Sequence, residues 1–236
     1  MKRKSPESAQ VEEERIQTAY EKRKGNILYS WLDPSLVFLT QERERRILFV
    51  LKQLGFSSLN TIKLLEIGCG TGFWLREFIK WGFEAEHITG IDLLPERVRI
   101  ARQLCPQNVQ IKCGTATKLG FSDRSFDVVF QSTVFSSVLD PTMRQQIAGE
   151  MLRVVKLDGV ILWYDFHVNN PRNPDVQGVN KREIERLFPK CRVDLRRITL
   201  APPISRFLAP FSFLTCYLLE RCKILNTHYL GVIRML

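Results

Sequence analysis

The chain has 236 residues, of which 44% are hydrophobic, and it carries a formal net charge of +10. This length is sufficient for one substantial α/β core with extensions. The positive charge suits a nucleic acid, an anionic membrane surface or a phosphorylated substrate, and charge alone does not choose among them.

The sequence disfavours a metal site, a secretory signal and a transmembrane span. The six cysteines form no Cys-x-x-Cys pair and no zinc-like spacing with histidine, so we expect no metal site. The first residues, Met1 to Lys4, lead into charged sequence and not into the apolar core of a secretory signal. The longest apolar stretch, Phe207 to Leu219, contains Pro210 and is too short to span a bilayer. We therefore expect a cytoplasmic protein without a transmembrane segment.

The N-terminal quarter of the chain predicts helices. Residues 11–24 are dense in charge and indicate a helix exposed to solvent, and residues 40–54 have the apolar spacing of an amphipathic helix. We assign residues 1–58 to a helical extension or cap and residues 59–236 to the main domain. From Thr61 onward strands and helices alternate, which is typical of a parallel sheet with right-handed crossovers. The strands are expected near 62–67, 87–92, 109–113, 126–131, 159–166, 192–200 and 228–235, and the helices near 72–81, 95–104, 141–155 and 180–188.

The segment 64–72, with the sequence LLEIGCGTG, predicts a buried strand that breaks into a turn lined by glycines. Glycines at 68, 70 and 72 allow a sharp turn and a close approach of the backbone to a ligand. A helix follows from Phe73, so free N–H groups of the turn surround a small ligand. A dinucleotide-binding turn would place its third glycine at position 73, and a P-loop would add Gly-Lys-Ser/Thr, so neither motif matches.

This segment resembles the first motif of class I S-adenosylmethionine (SAM) methyltransferases, Glu-x-Gly-x-Gly-x-Gly. The resemblance covers roughly residues 60–200 and 228–236. It implies a Rossmann-like α/β fold with a seven-stranded, mostly parallel sheet, helices on both faces and an antiparallel last strand. It also implies SAM as the cofactor. The residues that it assigns to cofactor binding are Glu66, Gly68, Cys69, Gly70, Gly72, Asp92, Leu93, Thr115, Ala116 and Gln131.

Three of these positions have their own local arguments. Asp92 ends the second strand, where a carboxylate can accept hydrogen bonds from both ribose hydroxyls, and a cap for the helix after Pro95 is the alternative. Thr115 replaces the aspartate that binds the adenine amino group in the family. Its hydroxyl or the backbone of Ala116 could make that contact, and a polar turn is the alternative. Gln131 ends the fourth strand, beside the expected ligand crevice.

The acceptor side of the site is expected at the end of the fifth strand. Asp165 or His167 could accept a proton from an acceptor hydroxyl there; the alternatives are a loop brace and a surface histidine. The segments 164–171, 187–189 and 199–203 resemble methyltransferases found with glycan and polysaccharide biosynthesis enzymes. This resemblance implies a hydroxyl of a sugar, a glycan or a small metabolite as the methyl acceptor.

Other functions stay open. The alternatives are an RNA methyltransferase, an N- or C-methyltransferase of small molecules, and a SAM-binding scaffold without catalysis. The segment after Gln131 lacks the Asn/Asp-Pro-Pro-aromatic motif of enzymes that methylate nucleobase amines, and no RNA-binding module is recognisable. We therefore expect no stable nucleic acid partner. The sequence does not determine the oligomeric state.

A helical insertion at about 201–226 separates the last two predicted strands. We expect its apolar residues to share one helix face that packs on the domain as a lid or core helix. The alternative is a peripheral membrane contact or a pocket for a lipid-linked sugar. The residues of this face are Phe207, Leu208, Phe211, Phe213, Leu214, Tyr217 and Leu218.

Overall fold

The computed structural model describes residues 6–22, 30–56 and 58–236. Predictions for residues 1–5, 23–29 and 57 lie outside this part of the chain. The helices are α1 (Pro6–Glu21), α2 (Pro34–Gln53), α3 (Phe73–Lys80), α4 (Pro95–Leu104), α5 (Pro141–Val154), α6 (Lys181–Leu187), α7 (Pro202–Leu208) and α8 (Phe213–Arg221). The strands are β1 (Leu64–Ile67), β2 (Ile88–Asp92), β3 (Gln110–Cys113), β4 (Phe126–Ser132), β5 (Val155–Phe166), β6 (Cys191–Leu200) and β7 (Asn226–Met235).

The seven strands form one sheet in the order β3-β2-β1-β4-β5-β7-β6. β7 is antiparallel to both of its neighbours, and the other neighbouring pairs are parallel. The predicted seven-stranded, mostly parallel fold is thereby confirmed. All strands except β7 end at the same side of the sheet, which we call the carboxyl edge; β7 begins there.

The core consists of two layers because side chains alternate between the two faces of each strand. Leu64 and Tyr164 pack on one face with α2, α3 and α4. Leu65 and Trp163 pack on the other face with α5 and α6. Ile47 of α2 belongs to the first layer, so the N-terminal extension shares the core of the sheet. The domain boundary at residue 58 stays a prediction.

The prediction of a solvent-exposed helix at the N-terminus is wrong for one face of α1. Glu12, Ile16 and Ala19 are buried, and their spacing places them on one side of the helix. Ile16 packs into the second core layer. The sequence pattern did not predict this contact, because a segment dense in charge indicates exposure, whereas Glu12 is buried by partners that are distant in sequence.

The predicted insertion between the last two strands is present, but its single apolar helix face is wrong. The chain bends after Leu208 and forms two short helices, α7 and α8. Ala209 and Cys216 are buried beside Phe38 of α2, whereas several of the phenylalanine and leucine side chains face solvent. The insertion therefore packs on the domain with some of its residues and leaves several large apolar side chains exposed.

Candidate active site

The glycine turn joins the end of β1 to α3 at the carboxyl edge. Gly68, Gly70 and Gly72 have φ values of +70°, +55° and +75°, which residues with a Cβ rarely adopt. A Cβ on Gly68 would overlap Cγ2 of Val134, and one on Gly72 would lie 2.6 Å from Sγ of Cys105. The predicted need for glycine is thus explained at Gly68 and Gly72 by both conformation and space.

Asp92 holds the glycine turn against the end of β2. Its Oδ2 accepts a hydrogen bond from the backbone N of Gly70 (2.8 Å), and its Oδ1 accepts one from the backbone N of Leu94 (2.9 Å). Leu94 occupies the cap position of α4, so Asp92 is not the helix cap of the alternative interpretation. The carboxylate lies where the ends of β1 and β2 meet, and its contact with the ribose hydroxyls stays a prediction.

Glu66 supplies a buried carboxyl group beneath the turn. Its Oε2 is buried and has no hydrogen-bond partner among the described residues. Burial, together with the charge of Asp92, raises the pKa of Glu66 well above its usual value. An unsatisfied buried carboxyl oxygen favours a ligand that brings a donor or a positive charge. SAM carries an ammonium group and a sulfonium, so this buried carboxyl group fits SAM as a ligand.

The remaining predicted cofactor residues surround the turn. Cys69 is buried, and its backbone N donates to the carbonyl of Ile91 at 3.0 Å. Burial raises the pKa of the Cys69 thiol, which keeps it neutral. Leu93 and Ala116 are partly buried against the second core layer. The assignment of these three residues to the cofactor stays a prediction.

Thr115 forms the polar turn of the alternative interpretation. Its Oγ1 lies 2.9 Å from Oγ1 of Thr117 and accepts a hydrogen bond from the backbone N of Thr117 at 3.3 Å. The hydroxyl of Thr115 is therefore engaged locally. Its contact with adenine remains a prediction.

Gln131 is fully buried at the carboxyl end of β4, between β1 and β5. Its Oε1 accepts a hydrogen bond from the backbone N of Val134 at 3.1 Å, which shapes the loop after β4. Its Nε2 is buried and lacks a partner within the described part of the chain. Gln131 thus offers a donor in the middle of the edge where the ligand crevice is expected.

Asp165 supports the same loop from β5. It is fully buried; its Oδ2 accepts from the backbone N of Ser136 (3.1 Å) and its Oδ1 from that of Phe166 (2.8 Å). Burial raises the pKa of Asp165 to about 6, although these hydrogen bonds act in the opposite direction. In this arrangement Asp165 braces the loop, and its role as a base stays a prediction.

His167 is better suited to accept a proton. Its ring stacks on Tyr229 with centroids 4.4 Å apart, and its Nε2 lies 3.0 Å from the carbonyl oxygen of Asn226. Because a carbonyl only accepts, Nε2 must carry the proton and Nδ1 keeps its lone pair. Burial lowers the pKa of His167, so the ring is neutral near pH 7. Its catalytic role stays a prediction with a consistent geometry.

Helix α1 covers the loop after β4, which sequence reasoning missed. Glu12 accepts hydrogen bonds from the backbone N atoms of Leu139 and Asp140. Arg15 pairs with Glu12 and donates to the carbonyl of Ser137. The apolar spacing of Ile16, Ala19 and Tyr20 was the available signal for this packing.

Tyr20 and Arg97 extend this cover to the glycine turn. The guanidinium of Arg97 lies 4.7 Å from the ring centroid of Tyr20, a cation–π distance. The same guanidinium is the group nearest to a Cβ built on Gly70, at 3.4 Å. Arg97 therefore lies between α1 and the turn, and neither residue was predicted as part of the site.

Within the described ranges, no group of His, Cys, Asp and Glu is arranged to hold a metal ion. The same residues include no helix with the length and apolar character needed to cross a bilayer.

Comparisons with known proteins agree with this geometry. Residues 64–159 match a protein family described as a methyltransferase domain. The chain is similar to the 2-methyl-6-phytyl-1,4-hydroquinone methyltransferase of a Synechocystis species, with 35% identity over 112 residues, 46% of this chain and 33% of that protein. It is also similar to the malonyl-[acyl-carrier protein] O-methyltransferase of Bacillus cereus, with 28% identity over 121 residues, 51% of this chain and 43% of that protein.

A solved structure shows the same fold. The phosphoethanolamine N-methyltransferase 1 of Haemonchus contortus, in complex with phosphoethanolamine and S-adenosylhomocysteine, matches with a TM-score of 0.64 and 13% identity. The match covers 96% of this chain and 50% of that one. This chain spans less than half the length of the two curated relatives. Residues 64–159 match a methyltransferase domain, and the chain has the fold of a solved methyltransferase, which agrees with the resemblance to class I SAM methyltransferases found in the sequence and with SAM as the cofactor.

Proposed function

We propose that the protein transfers the methyl group of SAM to a hydroxyl of a small molecule with an apolar body. The observation that carries this proposal is a chain of aromatic rings beside the glycine turn. Trp31 stacks on Phe73 with centroids 6.0 Å apart, and Phe73 meets Trp74 edge-on at 5.1 Å. The indole nitrogen of Trp74 lies 3.2 Å from Oγ of Ser132 at the end of β4. The rings thus lead from the surface to the centre of the carboxyl edge.

The proposed reaction divides the work between cofactor and protein. Bound SAM supplies an activated methyl group, because its sulfonium leaves as a neutral thioether. The fixed turn at Gly68 and the braced loop after β4 contribute alignment, which is the main need of an in-line transfer. His167 accepts the hydroxyl proton at Nδ1 as the oxygen–carbon bond forms. Asp165 acts as a positioning residue in this proposal, because its carboxylate holds Ser136.

The acceptor is the less constrained half of the proposal. The Synechocystis relative is named for a hydroquinone with a phytyl chain, which agrees with an apolar acceptor body. The Bacillus cereus relative is named for a malonyl group on a carrier protein, so similarity alone does not choose the acceptor. The sugar or glycan acceptor expected from the sequence would also be methylated on a hydroxyl oxygen, but the rest of that molecule would be polar.

The test is methyl transfer from labelled SAM into separated fractions of a cell extract: extractable lipids, water-soluble sugars and glycans, and RNA. We expect label in the lipid fraction. Label confined to sugars would contradict the apolar body and support the sequence-based acceptor, and label confined to RNA would contradict both. An Asp92→Ala variant, which loses the predicted ribose contact, controls for label that does not depend on the site.

A further inference from the structure

The insertion exposes a group of large apolar side chains, which we call the α7–α8 surface. Single exposed apolar side chains are ordinary, whereas a contiguous group of them marks an interaction site. The members and their exposed fractions are Phe207 (72%), Phe211 (83%), Leu214 (68%), Leu218 (56%) and Ile224 (82%).

The helices that carry these exposed side chains are fixed to the rest of the domain. Phe213 contacts Phe38 of α2 with ring centroids 5.7 Å apart, and Cys216 is fully buried in the same small cluster. Ser212 caps α8 by accepting a hydrogen bond from the backbone N of Thr215 at 3.2 Å. Both helices are therefore anchored by other residues, and the side chains of the α7–α8 surface stay mostly exposed.

The charges on the insertion that carries the α7–α8 surface are mostly positive, and Asp33, just before α2, lies close enough to Arg206 to interact with it. Arg206, Arg221 and Lys223 are exposed, and residues 201–225 contain a single acid, Glu220. Glu220 is buried, accepts a hydrogen bond from the backbone N of Thr199 and lies 3.6 Å from Arg46. An apolar surface bordered by cations complements an anionic lipid headgroup layer. A second copy of the chain would bring like charges together on this surface.

The α7–α8 surface lies at the same edge as the candidate site. β6 ends at Leu200 and β7 begins at Asn226, and both of these positions are at the carboxyl edge. The start of α2 packs beside α7 and α8, as the contact of Phe38 shows, and the exposed residues Trp31 and Leu32 precede it. Apolar residues thus continue from the insertion to Phe73 beside the glycine turn.

We propose that the α7–α8 surface docks on an anionic lipid bilayer and turns the carboxyl edge of the sheet toward the lipid. Docking in this orientation places the entrance to the site at the membrane surface. This inference goes beyond the proposed methyl transfer, because the docking surface lies outside the cofactor turn and binding to vesicles needs no acceptor.

The test is sedimentation of the full-length protein with vesicles of phosphatidylcholine mixed with phosphatidylglycerol, and with vesicles of phosphatidylcholine alone. We expect binding to the mixed vesicles. The Phe207→Ser/Phe211→Ser variant should weaken binding at least about tenfold, because both rings would otherwise leave water. The Arg221→Gln/Lys223→Gln variant should weaken it roughly fivefold for each charge. Leu157→Ser is the matched control, since Leu157 is an exposed leucine near the start of β5, at the opposite edge.

Two further measurements keep the outcomes distinct. All variants must bind S-adenosylhomocysteine like the unchanged protein and unfold at the same denaturant concentration, which shows that the fold is intact. Failure of the unchanged protein to bind mixed vesicles at low salt would overturn the proposal, and so would equal binding by the Phe207→Ser/Phe211→Ser variant. A dimer in analytical ultracentrifugation that this variant alone dissociates, without vesicle binding, would assign the surface to a second copy and overturn it as well.

Discussion

Gly68 combines two constraints, and an alanine at this position tests both. Its φ of +70° is a left-handed conformation, which costs a residue with a Cβ about 1–2 kcal/mol. The added Cβ would also overlap Val134, and displacing a packed neighbour costs about 1–3 kcal/mol. Gly68→Ala should therefore lower the free energy of unfolding by about 2–5 kcal/mol, a large part of the ~5–15 kcal/mol of an ordinary domain.

Two other glycines separate these contributions. Gly55 has φ +80°, and no atom of the described residues lies within 4 Å of a built Cβ, so Gly55→Ala should show the conformational cost alone. Gly120 has no positive φ and no close neighbour within the described part of the chain, so Gly120→Ala should leave stability nearly unchanged. Urea unfolding of the three variants and of the unchanged protein measures these differences.

Gly68→Ala should also weaken the binding of the cofactor product. Val134 lies in the loop whose backbone Gln131 holds, so its displacement distorts the turn and the loop together. We expect the dissociation constant of S-adenosylhomocysteine, measured by calorimetry, to rise at least about tenfold in Gly68→Ala and not in Gly55→Ala. The reasoning is refuted if Gly68→Ala is no less stable than Gly55→Ala and binds the ligand normally.

Three further predictions address the loop after β4. The pKa of Asp165 is raised to about 6 from a usual 3.8, so ionisation of this carboxyl group opposes folding. Its contribution to the free energy of unfolding is largest below pH 3.8 and falls by up to about 3 kcal/mol as the pH rises to about 6. The Asp165→Asn variant should therefore become more stable relative to the unchanged protein over this pH range, and the difference should stay constant above it. Urea unfolding at a series of pH values measures this, and parallel curves of unfolding free energy against pH would contradict it. Glu12→Gln should weaken the docking of α1 by about 1.5–3 kcal/mol, seen as faster hydrogen exchange in α1 alone, while the exposed Glu14→Gln changes nothing. His167→Ala should lower kcat by about 10²-fold or more with unchanged binding of S-adenosylhomocysteine, and equal turnover by His167→Ala and the control His87→Ala would remove His167 as the base.

The sheet and the glycine turn could be predicted from the sequence because both depend on local patterns. Alternating apolar segments identify the strands and helices of an α/β fold, and three glycines at alternate positions leave few other conformations for residues 68–72. In the structure the carboxyl ends of β1, β2 and β4 bring Glu66, Asp92 and Gln131 to one edge, and their binding of the cofactor stays a prediction.

The parts that the sequence did not predict depend on contacts between distant segments. Glu12 is buried because it binds the backbone of Leu139, which is far along the chain. The sequence pattern does not show this contact, so the charge of Glu12 indicated exposure to solvent. The exposure of Phe207 and Phe211 depends on the bend after Leu208 and on the packing of small residues against α2. Periodicity assigns side chains to the faces of one continuous helix and does not anticipate such a bend.

We expect SAM to bind at the carboxyl edge, held by the glycine turn and by the carboxylate of Asp92. The decisive measurement is calorimetric titration of the purified protein, and of its Asp92→Ala variant, with S-adenosylhomocysteine. We expect saturable binding that SAM competes for, and we expect Asp92→Ala to weaken it by at least about tenfold, since a hydrogen bond to a charged group contributes about 1.5–3 kcal/mol. Absence of binding, or equal affinity in the folded variant, would contradict it.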